Sequence, residues 1–224
     1  MKIIPMDTHH VEHPFQGEML KKLWEPITIA GVTSKNRIAF APTGNTPPHV
    51  YPEMPESNIL FNEALAKGGT GIIVIGEAVT TPDSPESDPL KEYDSGNSKG
   101  IWSDDQIPGW AKLIDTCHKW GATVFPQLSW SDPWLGTHRR PKSKIVTASW
   151  EEAGLTPEAP EVAKKNFVAG ALRAKKAGAD GVEIHGMGTR EVFADILVSG
   201  EKGDLGSEQR VRLIRESISA IKAA

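Results

Sequence analysis

The chain has 224 residues, a formal net charge of −4, one cysteine and a mean hydropathy of −0.34. That length is long for a minimal domain and short for two, so one domain or an incomplete larger one is expected. Scattered charge without a basic stripe argues against a nucleic-acid partner, no stretch nears the roughly 18 to 20 apolar residues that span a bilayer, and a lone Cys117 excludes a disulfide framework.

In chain order, "MKIIPMDTHHVEHPFQGEML" lacks a charged region followed by a continuous apolar one. It reads as a polar arm over residues 1–22 and not as a secretory signal, which with the reduced thiol suggests a cytoplasmic setting. His9, His10 and His13 have no second ligand cluster, so no metal site is expected there. From residue 23 on, "EPITIAGVTSKNRIAFAPTGN" supplies two short β runs around Ala30 and Gly31, then a strand over Arg37 to Ala41.

Three later segments share one pattern. "AKGGTGIIVIGEA", "HKWGATVFPQLS" and "KKAGADGVEIHGM" each place a lysine near a helix end, a glycine where the chain leaves the helix, and then an apolar run. Lysine suits the negative helix C-terminus, and Gly69, Gly121 and Gly178 can take the left-handed conformation that ends a helix. Helix precedes strand, the reverse of a dinucleotide-binding turn, so these glycines are helix stops and not phosphate loops.

The segments before them have helical periodicity. "SNILFNEALAKGG" offers Ser57 or Asn58 as a cap. Leu113, Ile114, Cys117 and Trp120 form one apolar face, and Phe167, Ala171 and Ala174 another; Cys117 is then a buried thiol. The strands Gly71 to Gly76, Ala122 to Leu128 and Gly181 to His185 are apolar with little alternation, which favours a parallel sheet covered on both faces. Val211, Ile214, Ile218 and Ile221 line one side of a last helix, which ends where the pattern calls for another glycine and strand.

"LWEPITIAGVTSKNRIAFAPTGN", "EALAKGGTGIIVIGEAV", the "QL" of the third strand and "AKKAGADGVEIHG" in this order resemble the N-terminal half of the old yellow enzyme family, including its dienoyl-CoA-reductase-like branch. The resemblance runs from about Leu23 to Arg215. It implies an α/β fold, a (β/α) TIM barrel that is incomplete here: about four βα units and an N-terminal β-hairpin over residues 23–224. It also implies FMN, with NADH or NADPH as hydride donor, acting on an activated alkene such as an unsaturated carbonyl, with the site at the C-terminal ends of the strands.

Carried over by position, Ala41, Pro42, Thr43 and Gly44 would run beside the flavin, Ala78 would lie near its pyrimidine edge, and Gln127 would hydrogen-bond it. His185 would anchor the substrate's carbonyl oxygen, stabilising charge that develops there. The family's second donor, three residues on, is replaced by Gly188, and its tyrosine proton donor by Arg190, which could pair with an anionic substrate or phosphate. "QLSWSDPW" puts Trp130 and Asp132 where the family has histidine and arginine; Trp130 and Trp134 could cover a planar substrate.

Plainer readings stand beside each of these: His185 bonded to a loop, Gln127 closing a strand, Ala41, Pro42 and Ala78 as packing, the tryptophans as loop anchors. For the whole chain, the alternatives are a truncated, flavin-free relative that is non-catalytic or binds a partner through an open sheet edge, or a non-redox isomerase or cyclase using His185 and Arg190. The family's phosphate cradle lies in the other barrel half, so an active protein would complete the barrel from a second copy, as a homodimer, or from a complementing chain.

Overall fold

The computed structural model describes residues 18–43, 54–80, 99–130, 159–186 and 207–224. It opens with helix α1 (Glu18–Trp24), which crosses the expected end of the polar arm, and the hairpin β1 (Ile27–Ile29) and β2 (Val32–Ser34). The hairpin pairs Ile27 with Ser34. Ala30 and Gly31 make the turn with φ of 49° and 88°, a turn conformation that glycine tolerates readily.

There follow β3 (Ala39–Phe40), α2 (Glu56–Lys67), β4 (Ile72–Val79), β5 (Lys99–Gly100), α3 (Ile107–His118), β6 (Thr123–Ser129), α4 (Ala159–Lys176), β7 (Glu183–Ile184) and α5 (Ser207–Ala223). The sheet runs β3-β4-β6-β7, all parallel, with β5 added beside the end of β4. The parallel strands follow the helix-glycine-strand pattern, and the incomplete barrel is the one that the family resemblance implies. Strand β5 has no counterpart among the sequence-based expectations, and β7 is shorter than the run from Gly181 to His185.

The three helix stops take the expected conformation, with φ of 103° at Gly69, 72° at Gly121 and 90° at Gly178. Below the sheet, Lys35 donates to the carbonyls of Ala66 at 3.2 Å and Trp120 at 2.6 Å, tying together the ends of two crossovers. Asn36 donates from Nδ2 to Gly69 at 2.7 Å and accepts at Oδ1 from the Ile38 N–H. Asp180 accepts from the Val124 N–H at 2.7 Å and is bonded to His118 Nε2 at 2.8 Å. Turns and strand starts are thus fixed at the N-terminal end, which leaves the opposite end for chemistry.

Side chains alternate across each strand. Ile73, Val124 and Leu128 point to the helices and are fully buried with Leu113, Ile114, Phe167 and Ala174. On the inner face, Ile72, Val74 and Phe125 line an open groove of about 1020 Å³, which is also bounded by Ile27 and Ile29 of the hairpin and by Ile214 and Ile218 of α5.

Three local expectations are corrected. Helix α2 starts at Glu56 behind Pro55, with no side-chain cap; the fixed φ of proline sets the start, and Asn58 is buried inside the helix. Trp120 is 41% exposed, because α3 ends at His118 and the turn carries the indole out to Glu63 and over Lys67. On α5, Val211 and Ile218 are more than a third exposed, while Leu213 and Ser217 are buried. That helix packs on α4, and Ile214, Ile218 and Ile221 look into the groove.

Candidate functional site

The C-terminal ends of β3, β4, β6 and β7 bring four residues into one interior row. Gln127 sits opposite Glu183 in the β6–β7 register, and Gln127 Nε2 donates to Glu183 Oε1 at 2.7 Å. Beside Gln127 lies Gly76: a β-carbon built there would be 2.6 Å from Gln127 Oε1 and 2.6 Å from Pro42 Cβ. Pro42, Gly76, Gln127 and Glu183 therefore form a strip with no side chain at its centre. Gln127 is 7% exposed, while Pro42 and Glu183 are half-buried.

His185 follows on the same face. It stands two residues beyond Glu183, its backbone N–H donates to Leu128 O at 2.8 Å, and it is half-buried. Ser129 stands two residues beyond Gln127; it is fully buried, and its hydroxyl has no hydrogen-bond partner among the described residues.

Ala78 is placed differently. The β4–β6 register shifts between Ile75 and Ala78, where a cis peptide joins Gly76 and Glu77. The shift reverses the alternation, as an irregularity of one residue must. Ala78 pairs with Leu128, is fully buried in the core beneath the helices, and leaves Val79, opposite Ser129, on the inner side. The Ala78 side chain thus faces away from the row that holds Gln127, and only its backbone could meet a ligand.

Trp130 is 3% exposed and belongs to the apolar core. Ala41 is exposed and Thr43 half-buried just past β3. Gly44, Asp132, Trp134, Gly188, Arg190 and the N-terminal histidines lie outside the described residues. Among the described residues, no group of three or more His, Cys, Asp or Glu could hold a metal, and no helix is long and apolar enough to cross a membrane.

Glu183, Ser129 and Gly76 join the row without having been expected from the sequence. The first was legible: in "GVEIHG" the strand period of two puts Glu183 and His185 on one face. Gly76 gives no such signal, since its closeness to Gln127 and Pro42 exists only after three strands assemble.

This row suits a flat, partly polar ring. The strip over Gly76 admits a planar face, and the amide and carboxylate of Gln127 and Glu183 offer both donor and acceptor chemistry to a heterocyclic edge. The isoalloxazine of FMN has that shape and that edge. None of the named row residues is a cation, so a phosphate would find its countercharge elsewhere.

The profile of the NADH:flavin oxidoreductase / NADH oxidase family matches residues 22–224. A protein named NADPH dehydrogenase from Halalkalibacterium halodurans is 31% identical over 220 residues, covering 91% of this chain and 60% of that protein. One of the same name from Bacillus subtilis is 28% identical over 217 residues, with 91% and 61% covered. The chain thus spans about 60% of the length of these curated relatives. In fold it is similar to an old yellow enzyme from Pichia sp., with a TM-score of 0.67 at 24% identity over 91% of this chain and 56% of that one. It is also similar to the old yellow enzyme of Trypanosoma cruzi, with a TM-score of 0.66 at 22% identity over 92% and 63%.

Proposed function

The chain belongs to the NADH:flavin oxidoreductase / NADH oxidase family, and from that premise we propose that its strand ends form the site of an FMN-dependent NAD(P)H oxidoreductase acting on an activated alkene. The observation that carries this is the interior row of Pro42, Gly76, Gln127 and Glu183, with His185 next along the same face. FMN, when bound, would take hydride from NADH or NADPH and deliver it to the β-carbon of an unsaturated carbonyl compound.

In this reading Gln127 holds the ring edge, and Pro42 with Gly76 gives one face a smooth seat. His185 presents an N–H to the carbonyl oxygen of the substrate and stabilises the charge that grows there as the β-carbon accepts hydride. Arg190 supplies a cation for an acidic substituent or a phosphate, and the α-carbon takes its proton from solvent. The test is purification followed by an absorbance spectrum and phenol titration. A flavin spectrum is expected, with phenol binding lost in His185→Ala while flavin is retained. A colourless chain that takes up no added FMN contradicts the reading, as does unchanged phenol affinity in the variant.

A second reading rests on the open groove. Its apolar lining and the outer edges of β3 and β7, which pair with no further strand among the described residues, fit a complementing barrel half, from a second copy or a separate chain. Sedimentation that shows a dimer supports the second copy. A monomer whose groove takes up no apolar dye contradicts both.

A further inference from the structure

The orientation of the Gln127 amide follows from what it touches. The two ends of a glutamine amide look alike in shape, and only the bonding network distinguishes them. A carboxylate can accept hydrogen bonds but has none to give. The end of Gln127 that lies 2.7 Å from Glu183 Oε1 is therefore the NH₂ end, and the carbonyl oxygen is directed along the strip toward Gly76.

We infer that Glu183 is a positioning residue: it locks the Gln127 amide with its carbonyl oxygen toward the strip, so the site selects a ligand whose edge brings an N–H donor, as an imide does. This deepens the flavin reading and rests on it, since the pyrimidine edge of an isoalloxazine carries one imide N–H between two carbonyls. The residue acts on the ligand through Gln127. Substituting glutamine for Glu183 removes the lock, because an amide there can either accept or donate and the Gln127 amide is then free to turn over.

Two measurements separate this inference from the flavin reading. In the unmodified, ligand-free chain, the side-chain NH₂ protons of Gln127, assigned by their loss in Gln127→Ala, should exchange with solvent well below the rate of a free amide. They should revert toward that rate in Glu183→Gln. Exchange at the free rate in the unmodified chain overturns the inference, whether or not Glu183→Gln folds.

The second measurement compares FMN with N3-methyl FMN by equilibrium dialysis. The unmodified chain should prefer FMN by about tenfold, the effect of one buried acceptor left without its donor, and Glu183→Gln should reduce that preference to about twofold. An equal preference in both proteins overturns the positioning role. Absence of FMN binding sinks the flavin reading, and proton exchange then decides the role of Glu183.

Discussion

Gly76 passes so close to Gln127 that a β-carbon on the glycine would lie 2.6 Å from the amide oxygen. That approach, with Pro42 equally near on the other side, keeps the strip flat and holds Gln127 against Glu183. Gly76→Ala should therefore do more than crowd the strand. Overpacking of a rigid site costs about 1 to 3 kcal/mol, and part of the relief would come from displacing Gln127. We expect a lower denaturation midpoint together with weaker flavin binding. A variant as stable and as flavin-competent as the parent would show that the strip yields easily.

Ser129 gives a prediction of opposite sign. Its hydroxyl is shielded and has no partner among the described residues, and a buried polar group left unsatisfied costs about 1 to 3 kcal/mol. Ser129→Ala keeps the shape and removes that burden, so the variant should unfold at a higher denaturant concentration. A clear loss of stability would mean that the hydroxyl is bonded in solution.

Cys117 should behave as an inert thiol. It is fully buried, and burial, helped by the charge of Glu63, pushes its pKa up to about 12. The thiolate is the reactive form, so labelling at mildly alkaline pH should be negligible in the native protein and should appear with global unfolding. Labelling that outpaces unfolding would point to local opening around α3.

Two surface clusters contribute to the response to acid. Asp104 accepts from Arg173 Nε at 2.8 Å and Lys176 Nζ at 3.3 Å, and these bonds, Arg173 first, hold its carboxyl below the ordinary range. Glu216 is likewise lowered, by Arg212 and then Lys164. A carboxylate with a depressed folded pKa contributes stability above its unfolded value, about pH 4, and that contribution fades as pH falls through the folded value. Asp104→Asn should lower the melting temperature slightly at neutral pH, since Asp104 is exposed and its ion pairs are screened. The difference should vanish under strong acid. A difference that persists there would mean that the variant acts through something other than charge.

The alternation of helices and parallel strands could be read from the sequence because its signals are local, whereas the barrel came from the family resemblance. A glycine after a lysine-bearing helix end needs only its own backbone to stop the helix, and Gly69, Gly121 and Gly178 all do so. Faces set by long-range packing were harder to read. Ala78 turned outward because the register shift in β4 is settled between two strands, and α5 buried Leu213 and Ser217 because α4 lies on that side. Of the candidate site, Gln127 and His185 fall on one face, as strand periodicity requires. Glu183 was visible by the same rule, whereas Gly76 owes its place to the approach of Pro42 and Gln127.

The central claim is that a flavin ring lies against the interior row at the strand ends. Equilibrium dialysis of FMN against the unmodified chain and Gln127→Ala tests it most directly. Saturable binding of one FMN per site, weakened by about five- to tenfold in the variant, is the result the account predicts, as one lost buried hydrogen bond contributes that much. Equal affinity in the two proteins, or no saturable binding in the unmodified chain, would contradict it.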